Sequence, residues 1–320
     1  MRLFAFVATT TTALSLVACG GDDGGGGNPD AADVLENPGF PVPTDSTGNY
    51  LVTKANSETG GAWTEVGDAD WSCLNTPGTD MPSTQAIALS GKIEDFQTGN
   101  GVGTATVTAF PGIMLSGNSG MATSDGAAAT RGNYTMNLAM LPSGTTRYGF
   151  KFEAASYVKT YLLNQYVNPT MATQMRDMAA VSEATALALP AFIGVERDVT
   201  KGVLAGAFRD CMGREVSNAV ATVSATSGTV DHLEGAKTFY FSAGSTSLPV
   251  RHTVEPVMNN DGLFVILDLP PQSAAAYVQI WGFRDQADTA DGMMTLLSEL
   301  QSPVEANAVI TGSFEPKRSN

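Results

Sequence analysis

Three cysteines and two histidines are the side chains of this chain best suited to chemistry. They are Cys19, Cys73, Cys211, His232 and His252. A cysteine nucleophile needs a base beside it, and nothing in the sequence places either histidine next to a thiol. Two histidines also leave little scope for His-based metal sites. We therefore expect neither a Cys–His enzyme nor a metal centre.

The acidic residues do not suggest a general acid/base pair. Asp95 and Asp210 stand at equivalent places in two copies of a repeat, so we expect them in separate domains, where they cannot share one reaction. The segment Asn259 to Gly262 has half of a calcium-loop pattern, but a hairpin turn is favoured because the spaced acids and the distal Glu are missing. Motifs of serine hydrolases, phosphate loops and zinc proteases are absent. The sequence predicts no catalytic residue and no cofactor.

Composition argues against nucleic acid as a partner. Among 320 residues, Lys+Arg number 17 and Asp+Glu 32, for a net charge of -15. There is no excess of cations to replace the counterions of a phosphate backbone. A hydrophobic content of 43% is sufficient for a packed core. The length suggests about two domains.

The first eighteen residues have the pattern of an export signal. Met1 and Arg2 give a positive start, and Leu3 to Val17 is apolar, rich in Thr and free of acids. This stretch is too short to span a bilayer. It ends in small residues before Cys19, which resembles the bacterial lipobox, where the cysteine is lipidated and becomes the first residue. An ordinary signal peptide with an incidental cysteine is the alternative. We expect residues 1–18 to be removed and Cys19 to attach the chain to a membrane.

Residues 19–46 are expected to be a disordered tether. Gly20 to Asp30 contains only Gly, Asp, Asn and Pro, so it has no apolar surface to bury. Gly20 is not the Asp that resembles an inner-membrane retention signal. We therefore expect the outer membrane, with the periplasmic or the surface face left open.

An internal repeat organises the rest of the chain. The segment Leu89 to Asp95 recurs as Leu204 to Asp210. Each copy then continues through glycines, a strand with period-two alternation, a Gly-aromatic strand and a Leu-Pro turn. A short acceptor before a glycine is typical of a tight turn. The pattern predicts short antiparallel strands in each copy.

This order of residues resembles the carboxypeptidase regulatory-like domain, over residues 87–161 and 200–284. The resemblance implies a mainly β fold with two transthyretin-like (prealbumin-like) antiparallel β-sandwich domains. The residues between the two copies predict a short helical linker that joins them. No catalytic residues belong to such domains. Together with the tether, the arrangement is also similar to lipoproteins of predatory and gliding deltaproteobacteria.

The predicted boundaries follow from the repeat. They are an N-terminal extension over 47–86, a first sandwich over 87–166, a helical linker over 167–199 and a second sandwich with a C-terminal strand over 200–320. Within these, we expect helices over Thr170 to Ala180, from Ser182 to Phe192 with Pro190 kinking or ending it, and over Met293 to Leu300, and a last strand over Val304 to Phe314. The stretch Gly112 to Ala129 is either a flexible surface loop or a sign that the strand register there is wrong.

Cys73 and Cys211 remain after lipidation of Cys19. An even pair of thiols in an exported protein favours a disulfide, which would tie the N-terminal extension to the second sandwich. Two separately buried thiols are the alternative.

These observations favour a non-enzymatic, lipid-anchored protein of the cell envelope with a structural or protein-binding role. Its partners would be the membrane, through the lipid, and another protein or a polysaccharide. The alternative is a carbohydrate-binding surface module in which Trp63, Trp71 and Trp281 stack on sugars. An exposed row of aromatic side chains on one sheet would favour that alternative, whereas core positions would not. An enzyme would need an exposed cluster of acids, His or Ser in a cleft.

Overall fold

The structure is a computed structural model. It describes residues 52–55, 64–83, 85–113, 115–171, 173–229, 231–241, 249–252, 254–259, 262–291 and 294–319. The signal peptide 1–18, the lipidation site Cys19 and the tether 19–46 lie outside the described residues, as do Trp63, Asn260, Asp261 and Met293. Within the described ranges, no helix is long and apolar enough to cross a membrane.

Strands dominate both halves of the chain. The first half comprises β1 (Val52–Ala55), β2 (Thr64–Asp68), β3 (Ile87–Asp95), β4 (Thr106–Pro111), β5 (Gly120–Thr123), β6 (Asn133–Leu138), β7 (Arg147–Glu153), β8 (Lys159–Tyr166), β9 (Thr173–Met175), β10 (Met178–Ala180) and α1 (Glu183–Phe192). The second half comprises β11 (Gly202–Phe208), β12 (Val216–Ser217), β13 (Val220–Ser224), β14 (Lys237–Phe241), β15 (Pro249–Arg251), β16 (Leu263–Leu269), β17 (Gln272–Gly282), α2 (Gln286–Asp291), β18 (Thr295–Val304) and β19 (Ala308–Phe314). The predicted mainly β fold class is confirmed.

One of the two helices predicted for the linker is present and the other is wrong. Helix α1 begins after Ser182, whose side chain accepts a hydrogen bond from Thr185 N, and Pro190 lies inside its last turn. Residues 173–175 and 178–180 instead form the short strands β9 and β10. Both strands run parallel to β3, with Thr173 opposite Ala88. Their hydrogen-bond partners in β3 are distant in sequence, so no local pattern predicted these strands.

The helix predicted over Met293 to Leu300 is also wrong. Residues 295–304 form β18, which pairs antiparallel with β17. Leu297 and Leu300 point into the core from this strand. The last strand is present but begins at Ala308, because Val304 still belongs to β18.

The stretch Gly112 to Ala129 is not simply a loop. It contains β5, which pairs antiparallel with β4 and places Met121 opposite Thr108. Strand β4 in turn pairs with β7 in a regular antiparallel register. The glycine-rich insertion therefore extends the sheet.

A single nine-stranded sheet runs through both repeat units, here called the first unit (87–166) and the second unit (200–320). Its strand order is β15-β14-β16-β11-β19-β8-β7-β4-β5. Strand β19 joins the two halves because it is parallel to β11 on one side and to β8 on the other. The sequence did not predict this shared sheet.

Two smaller layers cover opposite faces of the central sheet. Along β8, Leu163 belongs to one hydrophobic core, whereas its neighbour Leu162 packs against another. The sheet β13-β17-β18 covers the first of these faces, with Ile280 and Leu297 in its core. Strands β3, β6, β9 and β10 cover the other, with Ile87 in its core.

Shortening one buried side chain of the joining strand β19 should lower the stability of both units together. Ile310 lies in the middle of β19, is 0% exposed and stands between Tyr161 of β8 and Leu204 of β11. Ile310→Ala should lower the free energy of unfolding by about 2–5 kcal/mol. Hydrogen exchange should show protection falling in β8 and β11 at once.

Leu138→Ala is the matched control, since Leu138 is also 0% exposed but lies in the outer layer of the first unit. In Leu138→Ala, protection from hydrogen exchange should fall first in the first unit. Loss of protection in β11 alone after Ile310→Ala would contradict the joining role of β19.

Candidate functional site

Several residues that the sequence marks for chemistry meet at one place, which we call the junction. It consists of residues 68–77, the turn 209–215 that follows β11, and the C-terminal residues 315–319. Cys73, Cys211 and Asp210 lie there. Asp95 lies in the first unit, and His252 is buried beside β14, with Nδ1 3.3 Å from the carbonyl oxygen of Thr238.

A disulfide joins Cys73 to Cys211 across the junction. The two Cα atoms are 5.7 Å apart, which lies in the ordinary range for such a bond. The backbone N–H of Cys73 donates to Cys211 Sγ at 3.0 Å, and the N–H of Cys211 donates to the carbonyl of Asp70 at 3.0 Å. The alternative of two separately buried thiols does not hold in this structure.

The carboxylate of Asp210 organises the turn beside the disulfide. Asp210 is 2% exposed. Its Oδ1 accepts from the backbone N–H groups of Met212 at 3.0 Å and Arg214 at 2.9 Å. Its Oδ2 accepts from Nε and Nη2 of Arg214 at 2.9 and 2.6 Å. A buried carboxylate is stable only with such charge-assisted partners.

The same carboxylate binds the N-terminal extension. Asp210 Oδ2 accepts the backbone N–H of Asp70 at 3.0 Å. Asp70 in turn accepts the N–H of Ser72 on its own Oδ1 at 2.8 Å. Hydrogen bonds from Ser72 and the nearby charge of Arg214 hold the pKa of Asp70 below its usual value. Asp70 and Asp210 thus position the two chain segments that the disulfide joins.

Trp71 closes the core at the junction. Its ring stacks on Phe208, the last residue of β11, with centroids 6.0 Å apart and planes 16° from parallel. Leu74 packs against the same core. Burial of these side chains adds a hydrophobic contribution to a segment otherwise held by polar bonds.

The C-terminal residues pair with the segment after Cys73. The N–H of Asn75 donates to the carbonyl of Lys317 at 2.7 Å, and the N–H of Ser319 donates to Thr76 at 2.9 Å. Arg318 Nη1 donates to the carbonyl of Cys73 at 3.2 Å. The C-terminal residues of the described chain therefore lie beside the disulfide.

Asp95 and Asp210 play the same part in their two units. Asp95 Oδ1 accepts from the N–H groups of Gln97 at 3.1 Å and Thr98 at 2.8 Å. Gly99 and Gly213 follow in the left-handed conformation, with φ of 68° and 78°, which glycine adopts without strain. Each carboxylate thus caps the turn that the sequence predicts around it.

Local spacing indicates the ion pair at Asp210, but nothing in the sequence indicates the contact of Asp210 with Asp70. Arg214 stands four residues after Asp210, so local spacing suggests the pair. Asp70 stands 140 residues away from Asp210, and no pattern in the sequence connects them.

The described tryptophans are not an exposed platform. Trp281 is 7% exposed, and its Nε1 donates to Gln279 Oε1 at 3.2 Å. Trp71 packs on Phe208, and none of the aromatic side chains that the structure describes is exposed. An open groove of about 260 Å³ crosses β3, but no aromatic side chain lines it. Its lining residues are Ala88, Leu89, Ser90, Thr135, Met136, Asn137 and Thr173. The row of aromatic side chains that would favour sugar binding is not found among the described residues.

Metal-ligating side chains do not gather in the described part of the chain. Over those residues, no three His, Cys, Asp or Glu side chains lie close enough to hold one ion. The junction has instead the chemistry of a cross-link, with one disulfide, one ion pair between a buried carboxylate and a partly exposed guanidinium, and one parallel bridge between Pro77 and Ser319.

No family model and no curated protein matches this chain. Among solved structures it is similar to the shaft pilin SpaA of Lactobacillus rhamnosus GG, at 10% identity over 73% of this chain and 98% of that chain, with a TM-score of 0.21. It is also similar to a Streptococcal ancillary pilin, at 8% identity over 73% of this chain and 63% of that chain, with a TM-score of 0.16. Similarity at this level does not establish a common fold.

Removal of the charge on Asp210 should destabilise the protein more than the same change in the other turn. Asp210→Asn leaves Arg214 without its partner and turns one acceptor into a donor. We expect a loss of about 3 kcal/mol in the free energy of unfolding by urea. Asp95→Asn is the matched control and should cost about 1–2 kcal/mol, because Asp95 caps its turn without such an ion pair. An equal or larger cost for Asp95→Asn would contradict the role given to Arg214.

Removal of the disulfide should also cost stability. Cys73→Ser with Cys211→Ser frees a loop with a sequence separation of 138, and we expect a loss of about 2–5 kcal/mol. Urea unfolding of the variant, compared with the wild type with and without reductant, measures it. If neither the double substitution nor the reductant changes the urea concentration at the unfolding midpoint, the bond does not form.

Proposed function

We propose that this chain is a non-enzymatic protein of the bacterial cell envelope with a structural or protein-binding role. In this proposal Cys19 is lipidated, and the tether 19–46 connects the lipid at the outer membrane to the folded body. The observation that supports it best is the disulfide between Cys73 and Cys211. Such bonds persist in exported proteins and are rare in reducing compartments.

The position of the disulfide also supports a tethered body. Strand β1 pairs with β12, Val52 opposite Ser217. The chain then enters the junction, where Cys73 is bonded to Cys211. The segment that directly follows β1 and β2, the first two strands of the described chain, therefore carries the covalent cross-link.

A structural role agrees with how the reactive side chains are used. The two cysteines of the junction form a cross-link. Asp210 holds Arg214 and Asp70, and Asp95 caps its own turn. The atoms of these side chains that a reaction would use are occupied by bonds that stabilise the fold.

Loss of Cys19 should detach the protein from membranes. Cys19→Ser removes the thiol that would carry the lipid, so the protein should take up no radiolabelled palmitate and should move to the soluble fraction. Cys73→Ser is the control and should keep both the label and the membrane attachment. The lipid anchor is excluded if the wild type takes up no label and Cys19→Ser still sediments with membranes.

A further inference from the structure

The disulfide encloses the whole first unit in a covalent loop. Cys73 and Cys211 are separated by 138 residues in sequence. All elements from β3 to β11 lie between them, whereas β12 to β19 follow Cys211. Two covalent routes therefore lead from the N-terminal extension to the second unit. One is the peptide chain through the first unit, and the other is the disulfide itself.

We propose that the disulfide carries tension from the tether directly into the second unit, so that the first unit stays outside the covalent path of the load. The proposal rests on the proposed anchor at Cys19, which gives the tether a fixed end. A stretched chain transmits force along its shortest covalent path. With the bond closed, that path passes from Cys73 to Cys211 and omits the peptide between them.

Contacts around the bond direct the load into the second unit. Asp70 binds the turn through its N–H on Asp210 and its carbonyl on Cys211. Arg214 Nη2 reaches the carbonyl of Asp68 at 3.3 Å. All of these contacts join residues before Cys73 to the turn 209–215. They weaken under force before the covalent bond does, and the bond then holds the segment in place.

The N-terminal extension contacts the first unit and the linker through residues that come after Cys73. Arg147 Nε donates to Asp80 Oδ2 at 2.5 Å, and Gln85 Nε2 donates to the carbonyl of Pro169 at 2.8 Å. While the disulfide is closed, the covalent path from the tether to the second unit omits the peptide that carries these bonds. Once it is opened, residues 74–86 become part of the path, and the load passes through the first unit.

Stretching of single molecules tests this proposal. The mature chain, without lipid, is attached to a surface at position 19 and pulled from its C-terminus. With reductant, full extension should exceed that of the oxidised chain by about 480 Å, which is the sequence separation of 138 at roughly 3.5 Å per residue. Unfolding steps of the first unit should appear only in the reduced molecules. Equal extensions, or first-unit steps in oxidised molecules, would overturn the proposal.

The double variant Cys73→Ser with Cys211→Ser is the control and should extend like the reduced wild type without reductant. If it does not fold, the same wild-type molecules before and after reduction give the comparison. The test needs no lipid, so its outcome is independent of the anchor. A length difference together with a failed Cys19 labelling would reject the anchor and support the load path through the disulfide. Equal lengths together with successful Cys19 labelling would reject that load path alone.

Discussion

Strand β19 pairs in parallel with two strands that are far apart in sequence, β8 and β11, and the architecture depends on this double pairing. Ile310 stands between Tyr161 and Leu204 and is 0% exposed. An interior strand must satisfy its N–H and C=O groups on both edges. The two units therefore share one sheet, and their second layers lie on opposite faces of it.

The junction completes this arrangement at the end of β11 and β19. Phe208 and Phe314 are partners in the last pair of that ladder, and Trp71 stacks on Phe208. The disulfide and the Asp210 carboxylate hold Trp71 there. A cross-link at the end of the central strands ties the N-terminal extension to the sheet that both units share.

The sequence predicted strands well where one face alternates with solvent and poorly where pairing is remote. Strand β6 alternates strictly between exposed and buried residues, so period two reveals it. Residues 173–180 and 295–300 suggested helices, but β3 and β17 capture them as strands. Their pairing is worth more than a weak local helical preference, because tertiary contacts routinely override propensity.

By itself the sequence determined the features whose bonds are local. It predicted the turns that Asp95 and Asp210 cap, the start of α1 after Ser182 and the alternating strands of a mainly β fold, since each depends on neighbours a few residues away. Only the tertiary structure decided that Cys73 meets Cys211, that Asp70 meets Asp210 and that β19 joins both units. Those contacts arise between segments more than a hundred residues apart, where the whole fold, and not local spacing, sets the distance.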